Sequence, residues 1–334
     1  MHLVNLNAGV LKMKWVRKYF PILSLILMIS CLEEDKLEKE IAKIPLDLKI
    51  ERFDREFANA LPNDIPKLKS KYPYLFPKQF SDSIWIVKLK DTIQQELFSE
   101  VNKTFGNFDE QELELTSLFQ HIKYYFPGYD TPKVVTLTSE VQYDNRVVLT
   151  DSLLLLGLDN YLGENHHFYR SVSRYIAKGL DKQYLVSDVT GAFAKTINRY
   201  PRNRTFLSRM VYHGKELYLK DKLIPQTSDA QKINYTQEEL EWAMENEEQM
   251  WRYYVENELL YSTSSELDRR FLDPAPFSKF QLELDSESPG RLGRYMGWQI
   301  VRAFMDKNPK VSLTELLDIP ADDIFKKSNY KPKK

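Results

Sequence analysis

The side chains able to do chemistry in this chain are few and scattered. Its one cysteine is Cys31, and its five histidines are His2, His121, His166, His167 and His213. A single thiol excludes an intramolecular disulfide framework, a cysteine-type zinc module and an iron–sulfur site. No His-Glu-x-x-His occurs, so the helical two-histidine zinc site has no support. His166 and His167 are adjacent, and on a helix they diverge by about 100°, too far to share an ion easily. Glu164 with His167, and His213 with Glu216, stand at i, i+3, where two side chains share a helix face. Such a pair serves as a surface or capping contact, or as two ligands of a metal. No Gly-x-Ser-x-Gly elbow is present, and the only Gly-Lys pair, Gly214-Lys215, is followed by Glu216 instead of Ser or Thr. A catalytic reading would have to rest on His213, Glu216, Glu247 and nearby tyrosines, as a peptidase-like hydrolase. No metal and no organic cofactor is expected.

Cys31 has the more specific chemistry. Lys12, Lys14, Arg17 and Lys18 precede a mostly apolar run over residues 19–30. Twelve helical residues span about 18 Å, short of a bilayer core of about 30 Å, so the pattern is that of a secretory signal peptide. The run ends in Met28-Ile29-Ser30-Cys31, which looks like a bacterial lipobox. The expectation is a signal over residues 1–30, with N-acyl and S-diacylglycerol (palmitate-type) groups on Cys31. Met13 is a second candidate start, which would leave residues 1–12 untranslated. Residues 31–46 are expected to be a charged, lipidated tether that is partly helical. The anchor places the protein at a cell-envelope membrane, the outer membrane by expectation.

The rest of the composition sets the frame. Apolar residues make up 43% and charged residues 28% of the 334, the profile of a folded body. A formal net charge of −1 gives no general attraction to nucleic acid. Helical spacing is predicted over residues 84–103, 109–125, 166–178, 184–199, 205–219, 236–259, 289–306 and 312–318. Leu113, Leu115, Leu118, Ile122 and Tyr125 are expected to line one side of the second. A short strand leading into a helix is predicted over 49–61. Thr236 with Glu239 and Ser312 with Glu315 are capping boxes, and Ser288-Pro289 reads as a helix start. Residues 133–158 are rich in β-branched side chains around Tyr143-Asp144-Asn145, which predicts a β-hairpin. The fold class is therefore mainly α (α+β), a single helical domain over 47–334 with one small sheet.

Glycine is scarce, yet Gly290, Gly293 and Gly297 fall within eight residues. Each costs about 1 kcal/mol in a helix interior, so a close backbone approach is expected, from a packed helix or from a partner. Tyr161, Glu164, Trp251, Arg291, Gly293, Arg294, Gly297 and Trp298 form the candidate interaction surface, with Arg302 beside them. Tyr, Trp and Arg are the residue types enriched at binding hot spots.

Residues 156–169, 206–225, 233–254, 275–305 and 324–334, with the segments SPGRLGRYMGWQIV and SNYKPK, resemble the gliding-motility lipoprotein family GldB of Bacteroidetes. The resemblance runs from the lipobox to the C-terminus. It implies a membrane-anchored lipoprotein needed for surface gliding, working alongside the type IX secretion apparatus and other envelope gliding proteins. The acidic run Glu33-Glu34-Asp35 resembles the export signal of surface lipoproteins in that phylum, and a solvated tether accounts for it equally well. The family also looks distantly similar to zinc peptidase-like domains. In this chain Tyr212-His213-Gly214-Lys215 and Gly191-Ala192-Phe193-Ala194-Lys195 stand where metal ligands would be, which implies loss of the metal.

Overall fold

The computed structural model describes residues 36–282 and 285–333. The signal, the lipobox and Cys31 lie outside the described residues. The chain divides into two units at Leu46/Asp47. In the first, residues 36–41 are helical. The second is mainly α with one four-stranded sheet, in the order β1 (Ile50–Glu51), β2 (Lys133–Leu137), β4 (Leu153–Gly157), β3 (Val147–Leu149).

The sheet corrects the predicted hairpin. β2 pairs in parallel with both β1 and β4, and only β3 and β4 are antiparallel. The strands RVVL and LLLL, read as one arm, fold back on each other at Thr150-Asp151-Ser152. Thr150 closes that turn: its N–H donates to Leu153 O at 2.8 Å, and its Oγ1 accepts from Leu153 N at 3.1 Å. Tyr143–Asn145 is instead a 3-10 turn on the way to edge strand β3.

Two predicted helices are each broken by one polar side chain. The 84–103 run splits into α3 (Asp82–Lys90) and α4 (Thr92–Phe105), because Asp91 accepts from Gln94 N at 2.9 Å and caps α4. The 236–259 run splits into α10 (Gln237–Glu245) and α11 (Glu247–Glu256) at Asn246, whose amide donates to Trp242 O at 2.9 Å. The 166–178 prediction reduces to a 3-10 turn and the four-residue α6 (Arg174–Ala177). There the Tyr169 hydroxyl donates to Asp159 O and accepts from Leu162 N, tying the turn to the preceding loop.

The remaining helices are α1 (Phe53–Ala58), α2 (Ile65–Lys71), α5 (Asp109–Tyr125), α7 (Leu185–Ile197), α8 (Phe206–Leu223), α9 (Asp229–Ile233), α12 (Glu266–Phe271), α13 (Leu292–Lys307), α14 (Leu313–Asp318) and α15 (Ala321–Ser328). Both predicted capping boxes form. Pro289 does not start α13: the helix begins at Leu292, whose N–H donates to Ser278 Oγ at 3.2 Å. Leu115, Leu118 and Ile122 are buried on one side of α5 as expected, joined by Phe119, but Leu113 is 72% exposed and does not share that side.

α8 and α13 form the central crossing of the body. A Cβ placed on Gly214 would lie 2.2 Å from Gly297 O, and one on Gly297 would lie 1.9 Å from Met210 O. The two backbones are in direct contact, which only glycine allows. Phe206, Met210, Trp298, Val301 and Phe304 on these two helices are almost wholly buried. An N-terminal aromatic cluster of Phe53, Phe57, Tyr72, Phe76, Trp85 and Phe98 joins α1–α4 to β2 through Val135.

Candidate functional site

Buried Glu216 and Lys220 lie where α7, α8 and α13 meet. His213 and Glu216, one helical step apart on α8, approach to 3.7 Å, outside hydrogen-bond range. Neither His213 Nδ1 nor Glu216 Oε2 has a hydrogen-bond partner. Burial and the neighbouring Arg294 charge push the His213 imidazole down from its ordinary value. Burial pushes the Glu216 carboxyl up, but the His213 contact and the charges of Lys220 and Arg294 outweigh it and bring it to about 2. Gly191 of α7 leaves the room: a Cβ there would stand 3.3 Å from Glu216 Oε1. Lys220, brought down to about 8 by burial, donates to Ser187 Oγ at 3.0 Å and Lys232 O at 2.9 Å. Nearby, Arg146 and Tyr161 both donate to Asp188 of α7, at 2.6 and 2.9 Å.

Glu247 does not join this group. Its carboxylate accepts from Tyr295 OH at 2.8 Å, Tyr330 OH at 2.6 Å and Lys333 N at 3.0 Å. The side chain is almost fully buried. Trp251, one turn along α11, packs its ring against Phe325 and Tyr330 at 5.6 and 5.3 Å between centroids. Glu247, Trp251 and the SNYKPK segment therefore make one clasp that holds the C-terminus on α11 and α13. His166 and His167 are engaged elsewhere. His166 pairs with Glu100 at 3.3 Å and His167 with Glu96 at 3.0 Å, not with Glu164, which is exposed. Among the described residues no group of three His, Cys, Asp or Glu side chains is arranged to hold a metal ion.

The candidate interaction surface is corrected in most of its members. Tyr161 and Trp298 have no exposed area, and Gly293 and Gly297 are sealed in helix contacts. Trp251 belongs to the C-terminal clasp. The arginines grip this chain's own oxygens: Arg291 donates to Asn234 O at 2.7 Å, and Arg294 to Leu272 O at 2.5 Å. Arg302 lies 3.6 Å over the Trp298 ring and donates to Asp221 and Asp229 at 2.7–2.9 Å. Of the three arginines only Arg302 binds carboxylates, and those belong to this chain's own α8 and α9.

Sequence reading missed two features. An apolar groove of about 810 Å³ runs between α3, α4 and the 168–173 turn, lined by Ile84, Val87, Ile93, Leu97, Phe168 and Val172. At its edge Val141 has φ +60°, a strained setting for a β-branched residue. Buried Asp159 holds that loop by accepting from Ser139 N at 2.8 Å and Val141 N at 2.7 Å. A smaller cavity of about 140 Å³ is walled by Arg146, Lys178, Asn234 and Arg291. Neither cavity has His213 or Glu216 in its wall.

The family model GldB_lipo, gliding motility protein GldB, matches residues 34–332. The chain belongs to the GldB family. No curated protein and no solved structure gives a significant match. The match spans the sheet, the α8–α13 crossing and the Glu247 clasp, so the features that organise this fold all lie within the GldB region. The protein is thus of a gliding-motility lipoprotein family, with the envelope association that this carries. Among the described residues no helix is long and apolar enough to cross a membrane.

Proposed function

We propose that the chain is a lipid-anchored part of the gliding machinery that acts by binding and not by catalysis. Cys31 carries the acyl groups, the outer membrane is its site, and its partners are other envelope gliding proteins and the type IX secretion apparatus. The observation that supports a non-catalytic role is the use made of the polar side chains. Glu247, Arg294, Arg302 and Lys220 are all bonded to groups of the same chain. His213 and Glu216, each with a buried atom short of a hydrogen-bond partner, line neither cavity described above. Their proximity is what favours the second reading, a hydrolase of peptidase-like ancestry.

The test is a clean deletion complemented with wild type, Cys31→Ser or His213→Ala. Deletion stops spreading on agar, and Cys31→Ser removes labelling by a fatty-acid probe. A His213→Ala protein that melts like wild type restores spreading. Loss of spreading by that folded variant would turn the reading to the hydrolase. Full spreading by the deletion strain would remove the motility role.

A further inference from the structure

A second surface carries charge with no internal partner. Between Asp188 and Glu216 the sequence has no acidic residue, but holds Lys195, Arg199, Arg202, Arg204, Arg209 and Lys215. Arg209 pairs with Asp268, and Lys215 donates to Leu317 O and Ile319 O. The other four are exposed, and among the described residues neither an ion pair nor a hydrogen bond engages their side chains. They lie at the end of α7 and in the loop 198–205 that joins it to α8.

The loop is held firmly at its base. Asn198 donates to Tyr212 O at 2.9 Å, the Tyr200 ring packs edge-on against Tyr212 at 4.9 Å, and Thr205 caps α8. Tyr200 nevertheless remains 59% exposed. Tyr261, 58% exposed, sits at the margin of the same region, because Leu260 O and Ser262 O accept from Leu207 N and Phe206 N at the start of α8.

We propose that Lys195, Arg199, Arg202 and Arg204, with Tyr200, dock the body onto an anionic lipid surface. The four cations line none of the cavities described above, so they suit a flat, diffuse array of phosphates better than a shaped ligand. An exposed tyrosine beside them is the side chain that sits at headgroup depth. The processed chain from residue 31 has 43 basic and 48 acidic residues, so its net charge is negative and the attraction is local to this face. The inference deepens the lipid-anchored reading. Sixteen residues from Cys31 to Leu46 reach at most about 58 Å when extended, which keeps an anchored body within contact of its bilayer. Each cation near an anionic surface is worth about 1 kcal/mol, or about fivefold in partition, and the four together set a ceiling of several hundredfold.

The test uses the processed chain from residue 31 with Cys31→Ser, so that no acyl chain contributes and the outcome is independent of lipidation and motility. It is sedimented with vesicles of phosphatidylcholine alone, or of phosphatidylcholine with one third phosphatidylglycerol. Binding to the anionic vesicles is expected to exceed binding to neutral ones by at least about tenfold and to fall steeply in 0.5 M salt. The K195Q/R199Q/R202Q/R204Q variant, with an unchanged melting temperature, loses that preference. Y200S weakens binding to the anionic vesicles by a smaller factor. Equal partition of wild type onto both vesicles would overturn the proposal, as would a folded quadruple variant that binds like wild type. Binding to polyglutamate without binding to vesicles would also overturn it, and would mark the face as a site for acidic protein.

Discussion

The α8–α13 crossing allows a sharp test through Gly297→Ala. The new Cβ would stand 1.9 Å from Met210 O and 2.4 Å from Met210 C, both backbone atoms that no rotamer change can move. Ordinary contact begins near 3.5 Å, so the helices must part by about 1.5 Å. That separation would loosen the buried packing of Met210, Trp298 and Val301 around the crossing. Overpacking of this kind costs about 3 kcal/mol or more, while alanine's better helix propensity returns about 1 kcal/mol. The net loss expected is about 2–4 kcal/mol, a fall of roughly 3–7 °C in Tm for a body of this size. Urea denaturation of purified protein measures it. Gly128→Ala, where a Cβ meets nothing within 4 Å, is the control and should change stability by less than about 0.5 kcal/mol. Gly214→Ala stresses the same seam, so once one change has parted the helices the second costs less and the double variant should lose less than the sum of the singles. A Gly297→Ala protein as stable as wild type would refute the backbone contact and with it the reason for glycine here.

Three further outcomes follow from the buried polar groups. Glu247→Gln leaves the clasp's shape but removes the charge that three donors share. It should cost about 2–3 kcal/mol and expose the C-terminal segment to carboxypeptidase; an unchanged digestion rate would speak against the clasp. Lys215 and Lys220 are both brought to about 8 by burial, below their unfolded value, so the unfolded chain binds more protons between about pH 8 and 10.5 and stability rises across that window. Buried Tyr161, Tyr254 and Tyr295 are pushed up by burial, so above about pH 10 only the unfolded chain ionises and stability falls. Denaturation at a pH series should show a maximum near 9–10, and Lys220→Met should flatten the rise. At the acid end, Glu216 at about 2 loses its contribution as pH falls from about 4.5, so Glu216→Gln should be less acid-sensitive than wild type.

Much of the helical framework is legible from periodicity, because long amphipathic runs such as 109–125 and 205–219 have no competing pattern. The breaks at Asp91 and Asn246 were harder, since each depends on one side chain choosing a backbone partner over the helix. α9, α12 and α15 are five to eight residues long, too short for a helical period to show. The hairpin register failed for a different reason. LLLL is apolar on both faces, so no alternation told which neighbour it would pair with, and only the Thr150 turn decides. At the candidate site the glycines announced a close approach. The sequence has no sign of the depth at which an arginine lies, so Arg294 and Arg302 read as part of an interaction surface when they are half-buried struts.

That difference between interior and exterior arginine organises the molecule. A partly desolvated guanidinium needs partners for its inward donors, and this chain supplies carboxylates or carbonyls to the half-buried Arg146, Arg291, Arg294 and Arg302 from helices or loops far away in sequence. These pairs fix how α7, α8, α9 and α13 stand against one another, so their charge is consumed in setting the fold. A binding surface has to be looked for where charge is left over. Lys195, Arg199, Arg202 and Arg204 meet that condition: they are solvated, ungripped and carried on a loop braced at Asn198, Tyr200 and Thr205. The loop's bracing carries little of the core, so the charges on it can be changed without loss of the fold, and that independence makes this face testable apart from stability.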